Sequence, residues 1–237
     1  MKVNLSDKVI AAYSTRHDGN MSLCYGDTAN ALSDRKKFLG ELSIDYARLV
    51  GAQQTHSKNV KYVLEADSGK GALVYDSAIP DTDAFITDKP GIPLSAFTAD
   101  CLSVFLYDPV KSAIAMVHAG WRGTQKGISG IAVEAMQTEF KTNPKDLMAY
   151  FGPCIRSCCF EVEADFKNFF PGKVIERENK LFLDIPAVNI EQLTQSGVKK
   201  SSISDCGFCT FCQNDRFFSF RKEADLAGRL ISVIMLV

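Results

Sequence analysis

Three histidines, eight cysteines and a single tryptophan are the residues of this 237-residue chain best suited to chemistry, and their placement is uneven. His17 follows "STR", His56 sits in "QQTHS" and His118 in "VHAGWRG", so all three fall in polar breaks. Cys101 ends "TADC", directly before an apolar run. A thiolate and two imidazoles suit zinc, with copper as a softer competitor. Three protein ligands, His56, Cys101 and His118, would leave a fourth position open for water or substrate, the pattern of catalytic zinc. The donors are far apart in sequence, which excludes a local zinc finger. The same atoms admit two other readings. Cys101 and His118 form a nucleophile–base pair for acyl transfer, with amides near Gly120 and Gly123 as oxyanion donors. Alternatively, they are two capping histidines and a buried structural cysteine.

The elements around these residues must bring them together. "KVIAAYSTR" predicts a first strand, and "ALSDRKKFLGEL" a helix with Ser33 or Asp34 as N-cap. "RLVGAQQTHSKNVKYVL" reads as two strands about a turn at His56. "DAFITD" is a short strand, and "IPLSAFTADCLSVFLYD" holds two strands broken at "TAD". "SAIAMVHAG" is a buried strand ending at His118. The next stretch, "GTQKGISGIAVEAMQTEF", carries Ile128, Ile131, Ala132, Ala135, Met136 and Phe140 at helical spacing, with Pro144 just beyond. "LMAYFGPC" predicts a strand. "EADFKNFF" and "IPAVNIEQLTQSG" predict helices, the second with Gly197 as its C-cap. "FFSFRKE" and "RLISVIMLV" read as late strands. His56, Cys101 and His118 thus all fall at strand ends, where loops converge. No proline- or glycine-rich linker divides the chain, so residues 1–237 are expected to form one domain. The irregular alternation of strands and helices points to an α+β fold with a mixed sheet.

Composition narrows the function classes. A formal net charge of −1 provides no basic field for nucleic acid. No apolar run approaches the ~20 residues that span a bilayer, so no membrane partner is expected. The N-terminus lacks the apolar core of a signal peptide, which makes the cytoplasm the expected location. Disulfides are a poor first assignment for cysteines there, and metal ligation or catalysis a better one.

"QTHS", "TADC", "VHAGWRGT", "FGPCIRSCCFEV" and "CTFCQNDRFFSFRKE" together resemble the laccase-domain family, over nearly the whole chain. Its members have been called multicopper polyphenol oxidases and purine nucleoside phosphorylases. The resemblance implies zinc at His56, Cys101 and His118, and phosphorolysis of adenosine and inosine to free base and ribose 1-phosphate. Methylthioadenosine cleavage and adenosine deamination are also implied. The implied fold is a layered α/β/β/α sandwich with mixed β-sheets, related to a cysteine-hydrolase toxin fold. That kinship keeps a Cys–His hydrolase acting in peptidoglycan precursor editing as an alternative. The other alternative, a copper-dependent polyphenol oxidase, meets the count of only three histidines. The chain departs from the family where Leu102, Ser103 and Val104 follow the "TADC" cysteine without proline, and where "RHDGNMSLCYGD" lacks a double glycine.

Phosphorolysis needs an anion pocket, and Arg16 and Arg122 are the candidates, since guanidinium offers paired donors to phosphate oxygens. Amides around Gly123 and Thr124, at the start of the expected helix, are further anion donors. Gln54 either orients His56 or touches substrate. Asp83 and Asp100 are candidate proton carriers or orienters of metal ligands. Trp121 either stacks on a base or packs in the core. The resemblance makes purine nucleosides and phosphate the expected substrates, and the protein is expected to be a monomer or homodimer. "CGFCTFC" and the trio Cys154, Cys158 and Cys159 admit a second structural zinc, a labile disulfide or buried small hydrophobes. The last is favoured, because the resemblance requires only part of the cluster.

Overall fold

The apolar runs "LSVFLYD" and "AIAMVHA" are strands buried along their whole length, as central strands of a sheet covered on both faces must be. The computed structural model describes residues 1–237 and contains twelve strands. They are β1 (Val9–Tyr13), β2 (Val60–Tyr62), β3 (Ala84–Thr87), β4 (Leu94–Thr98), β5 (Leu102–Asp108) and β6 (Ala113–Ala119). The chain continues with β7 (Met148–Phe151), β8 (Glu161–Val162), β9 (Val174–Arg177), β10 (Lys180–Leu183), β11 (Ile203–Asp205) and β12 (Leu230–Leu236). The α-helices are α1 (Thr28–Gly40), α2 (Trp121–Gln125), α3 (Ile128–Phe140), α4 (Phe166–Phe169), α5 (Ile185–Gln195) and α6 (Phe220–Glu223). None is long and apolar enough to cross a membrane.

The main sheet has the order β11-β7-β5-β6-β3-β2. Its outer pairs β11–β7 and β2–β3 are parallel and the inner pairs antiparallel, so it is mixed. A second sheet, β1-β12-β4, is antiparallel, and a small third one has the order β8-β10-β9. The alternation of side chains along each strand sorts the core. Leu102, Val104 and Leu106 of β5, with Ala115 and Val117 of β6, pack with α3 and α5. Phe105, Tyr107, Ile114 and Met116 point the other way and pack with residues of β1, β4 and β12. Ile231, Val233 and Met235 of β12 face a third cluster, which holds Phe38 and Leu39 of α1. Between the two sheets, the buried Ser232 hydroxyl donates to Ser103 Oγ over 2.8 Å. The result is a single-domain α+β fold with mixed sheets.

Several expected elements form differently. The first helix begins at Thr28 and is capped by Asp27, whose carboxylate accepts the Asn30 N–H, so Ser33 and Asp34 lie inside it. In "RLVGAQQ", just before His56, the expected strand does not form; Val50 and Ala52 make only isolated bridges to Leu94 and Ile79. The expected single long helix is two, α2 and α3, separated at Gly127, whose φ of 83° breaks the helical path. "EADFKNFF" yields only the single turn α4. "FFSFRKE" is not a strand: Glu223 accepts the Ser219 N–H and an Asn214 amide hydrogen, which folds this segment into the short α6.

Candidate functional site

The β3–β6 register pairs Ala84 with Val117, which sets Asp83 beside His118. The His118 N–H donates to the Asp83 carbonyl over 2.7 Å, and its Nδ1 lies 2.7 Å from Asp83 Oδ1. The same carboxylate accepts the main-chain N–H groups of Thr55, His56 and Ser57 and the Ser57 hydroxyl. One buried carboxylate therefore positions both histidines. It holds the His118 ring directly and fixes the loop in which His56 takes a left-handed φ of 58°. Burial pushes the Asp83 carboxyl up, but His118 and Ser57 outweigh it and bring the value to about 2. An ionised carboxylate only accepts, so the shared proton belongs on His118 Nδ1, and Nε2 is left for a ligand.

Cys101 is placed by its predecessor. Asp100 has a φ of 92°, a strained value for a residue with a side chain. The strain is held from several sides. The Asp100 carboxylate accepts the Thr210 hydroxyl and the Arg221 N–H, each at 2.6 Å, and its carbonyl accepts the Ile155 N–H. Cys101 Sγ then lies 3.6 Å from His56 Nε2, and the two imidazole centroids are 4.9 Å apart. The donor atoms of His56, Cys101 and His118 all fall within 4.8 Å of one another. Gly120 makes this approach possible, since a Cβ there would stand 2.5 Å from His56 Cδ2 and 3.0 Å from Cys101 Sγ. Burial pushes the Cys101 thiol up, but the two histidines outweigh it and bring it down to about 6. Burial pulls His118 down, but Cys101 and Asp83 raise it to about 9. The donor set of one thiolate and two imidazoles, with a carboxylate behind one ring, fits a bound metal.

The three donors line a cavity of about 770 Å³, which also takes in Asp100, Trp121 and Arg122. Trp121 is tilted against Phe166 and carries the Arg122 guanidinium 4.1 Å from its ring centroid. Gln54 lines the cavity too, but its amide is closed in a two-way pair with the Phe97 main chain at 2.9 and 2.8 Å. It braces β4 and makes no hydrogen bond to His56. Arg16 is not in the cavity wall: its guanidinium binds Glu223 and the Asn214 carbonyl and lies over Phe218. A phosphate role for Arg16 does not fit those bonds. Asp83 is also outside the wall, and an ionised carboxylate closed in by five donors is a positioning residue rather than a proton carrier. Of the amides expected to hold an anion at Gly123 and Thr124, that of Thr124 bonds instead to the Gly120 carbonyl within the five-residue α2.

Sequence reasoning missed three cavity arginines, Arg35, Arg221 and Arg229. Arg35 is 2% exposed and donates to the carbonyls of Met21, Gly71 and Ala72. Burial draws it down to about 10, so it stays charged at neutral pH. A signal was available: Arg35 shares the buried stripe of α1 with Ala31, Phe38 and Leu39, at helical spacing. None of Arg35, Arg122, Arg221 and Arg229 is in a salt bridge.

The family described as multi-copper polyphenol oxidoreductase laccase matches residues 10–237. Purine nucleoside phosphorylase YlmD of Bacillus subtilis is 32% identical over 245 residues, covering 96% of this chain and 88% of that protein. Adenosine deaminase RL5, from an unknown prokaryotic organism, is 32% identical over 226 residues, covering 90% of this chain and 86% of that protein. The crystal structure of the Bacillus licheniformis hypothetical protein YfiH superposes with a TM-score of 0.94 at 31% identity, covering 100% of this chain and 96% of that one.

Proposed function

The chain belongs to the multi-copper polyphenol oxidoreductase laccase family, and from that membership we propose that it is a zinc-dependent purine nucleoside phosphorylase. It cleaves adenosine, inosine and methylthioadenosine, releasing the free base and the 1-phosphate of the sugar. One observation carries the reading: a His–Cys–His donor set shares a single cavity with four arginines that have no ion-pair partner. Of the four only Arg35 is buried, and a buried guanidinium without a counter-ion suits an anionic ligand. The phosphorylase names among the relatives support the substrate class.

His56, Cys101 and His118 would hold the zinc, which supplies Lewis acidity toward a substrate atom when bound. In phosphorolysis a phosphate oxygen bonds to C1′ of the sugar as the C1′–N bond to the base breaks, and the base leaves with a proton. Arg122 and Arg35 orient the phosphate. Trp121 stacks on the purine, and Asp100, the acidic residue beside Cys101 in the wall, carries the proton. Asp83 touches no substrate and positions the histidines. Adenosine deamination is the side activity of the same site, supported by the deaminase relative. A polyphenol oxidase reading is weaker, because only two of the three histidines adjoin; copper entering the zinc site would account for oxidase activity. The proposal includes residues 1–237 acting as one domain, layered α/β/β/α in the manner of cysteine-hydrolase toxins. It also includes a cytoplasmic location as a monomer or homodimer.

The test is purified protein with adenosine or inosine, with and without phosphate, followed by analysis of base and sugar phosphate. Base release that needs phosphate is expected. Phosphate-independent turnover, or none, would sink the reading. Cys101→Ala, assayed in parallel, is expected to lose the zinc of this cavity, one ion per chain, and the activity together. Zinc content equal to that of the wild type with activity lost would instead favour the Cys–His hydrolase.

A further inference from the structure

Four other cysteines converge outside the cavity wall. Cysteines that only pack are buried small hydrophobes. Cys154 meets that description, fully buried in the core beside β7. Cys158 and Cys212 do not, being exposed, and Cys159 is only partly buried. Yet the sulfurs of Cys158, Cys159, Cys209 and Cys212 all lie within 4.8 Å of one another. Cys159 and Cys158 approach Cys212 to 3.2 and 3.6 Å. We propose that these four side chains form a second metal site, a structural zinc tetrathiolate. A tetrahedral zinc with Zn–S bonds of about 2.3 Å sets its sulfurs roughly 3.8 Å apart, within the observed span.

The local backbone suits this. Adjacent residues of a strand point to opposite faces. Cys158 and Cys159 lie instead in a turn, so both can face Cys212. The pair Cys209 and Cys212 has the C-x-x-C spacing of a zinc half-site, and Cys212 also lies in a turn. Packing cannot account for sulfurs left open to solvent, and four thiols around one centre satisfy a metal better than two separate pairs would.

The site would staple two segments that shape the cavity. Cys154 and Cys209 already form a parallel bridge, and Arg156 Nε donates to the Phe208 carbonyl over 3.0 Å. One segment carries Ile155, Phe160 and Val162 into the cavity wall. The other carries Thr210, whose hydroxyl holds the strained Asp100 next to Cys101. A metal here fixes the wall without touching substrate, and its presence does not depend on which reaction the cavity performs.

The experiment is metal analysis of the full chain, purified with reductant and without chelator and then loaded with zinc. The Cys209→Ser/Cys212→Ser double variant is expected to bind one zinc fewer per chain than the wild type. Cys101→Ser, loaded with cobalt, is expected to show the thiolate-to-metal absorption of a four-thiolate centre, which decides the matter should the double variant fail to fold. Equal zinc in wild type and double variant would overturn the proposal. So would a cobalt spectrum with fewer than four thiolates, or a disulfide among the four cysteines found by mass spectrometry.

Discussion

Asp83 is the residue on which the site turns, although it lies outside the cavity wall. Its carboxylate takes hydrogen bonds from His118 and from the loop bearing His56, so one side chain orients both donor histidines. In Asp83→Asn one of the oxygens becomes an NH2 group, which accepts nothing: in place of Oδ1 it loses the bonds from His118 Nδ1 and the His56 N–H, and in place of Oδ2 those from the Thr55 and Ser57 N–H groups and the Ser57 hydroxyl. Removing a partner of this kind typically weakens metal binding by about 10–100-fold. We expect a loss of that size in zinc affinity, measured by competition with a chromogenic chelator. An unchanged affinity would show that the ligands hold their places without the carboxylate.

At the level of elements, the site depends on how closely the start of α2 approaches two loops. Gly120 caps α2 with a φ of −69°, a conformation open to any residue. Glycine is needed for space, since a Cβ would collide with His56 and crowd Cys101. Gly120→Ala therefore tests the approach with no backbone penalty mixed in. Overpacking of this sort costs about 1–3 kcal/mol, which at about 1.4 kcal/mol per decade corresponds to roughly a five- to 150-fold weaker zinc site. The expected signature is reduced zinc retention with a nearly unchanged circular dichroism spectrum. Retained zinc would mean that His56 has another rotamer able to bind.

Across the whole molecule, distant parts of the chain are tied beside the site rather than within it. Arg16, after β1, pairs with Glu223 of α6, and Asn214 and the Ser219 N–H share that carboxylate. Burial raises the Glu223 carboxyl, but Arg16, Ser219 and Asn214 outweigh it and hold it below the ordinary 4.5. A depressed acid stabilises the fold fully above its unfolded value, and that contribution disappears as pH falls through the folded value. Glu223→Gln should then melt at a lower temperature than the wild type near neutral pH, with the gap closing in acid. Thermal melts across that range check the sign. A gap that stays constant with pH would assign the effect to packing.

What the sequence alone determined was the trio of donor residues that converge in the fold and most of the strands. His56 sits in a polar break, and Cys101 and His118 stand at the ends of apolar runs; such positions are visible without a structure. The apolar runs themselves mark β4, β5, β6, β7 and β12, because buried central strands need them. The tertiary structure decided how the charged side chains are used. Arg16, Arg35 and Arg122 look alike in one dimension, yet one pairs with Glu223, one is buried in the cavity wall and one lies over Trp121. Asp83 likewise looked no different from Asp100 until the β3–β6 register set it against His118. The physical reason is that a charge takes its role from partners far along the chain. Local periodicity carries burial, but it does not carry those pairings.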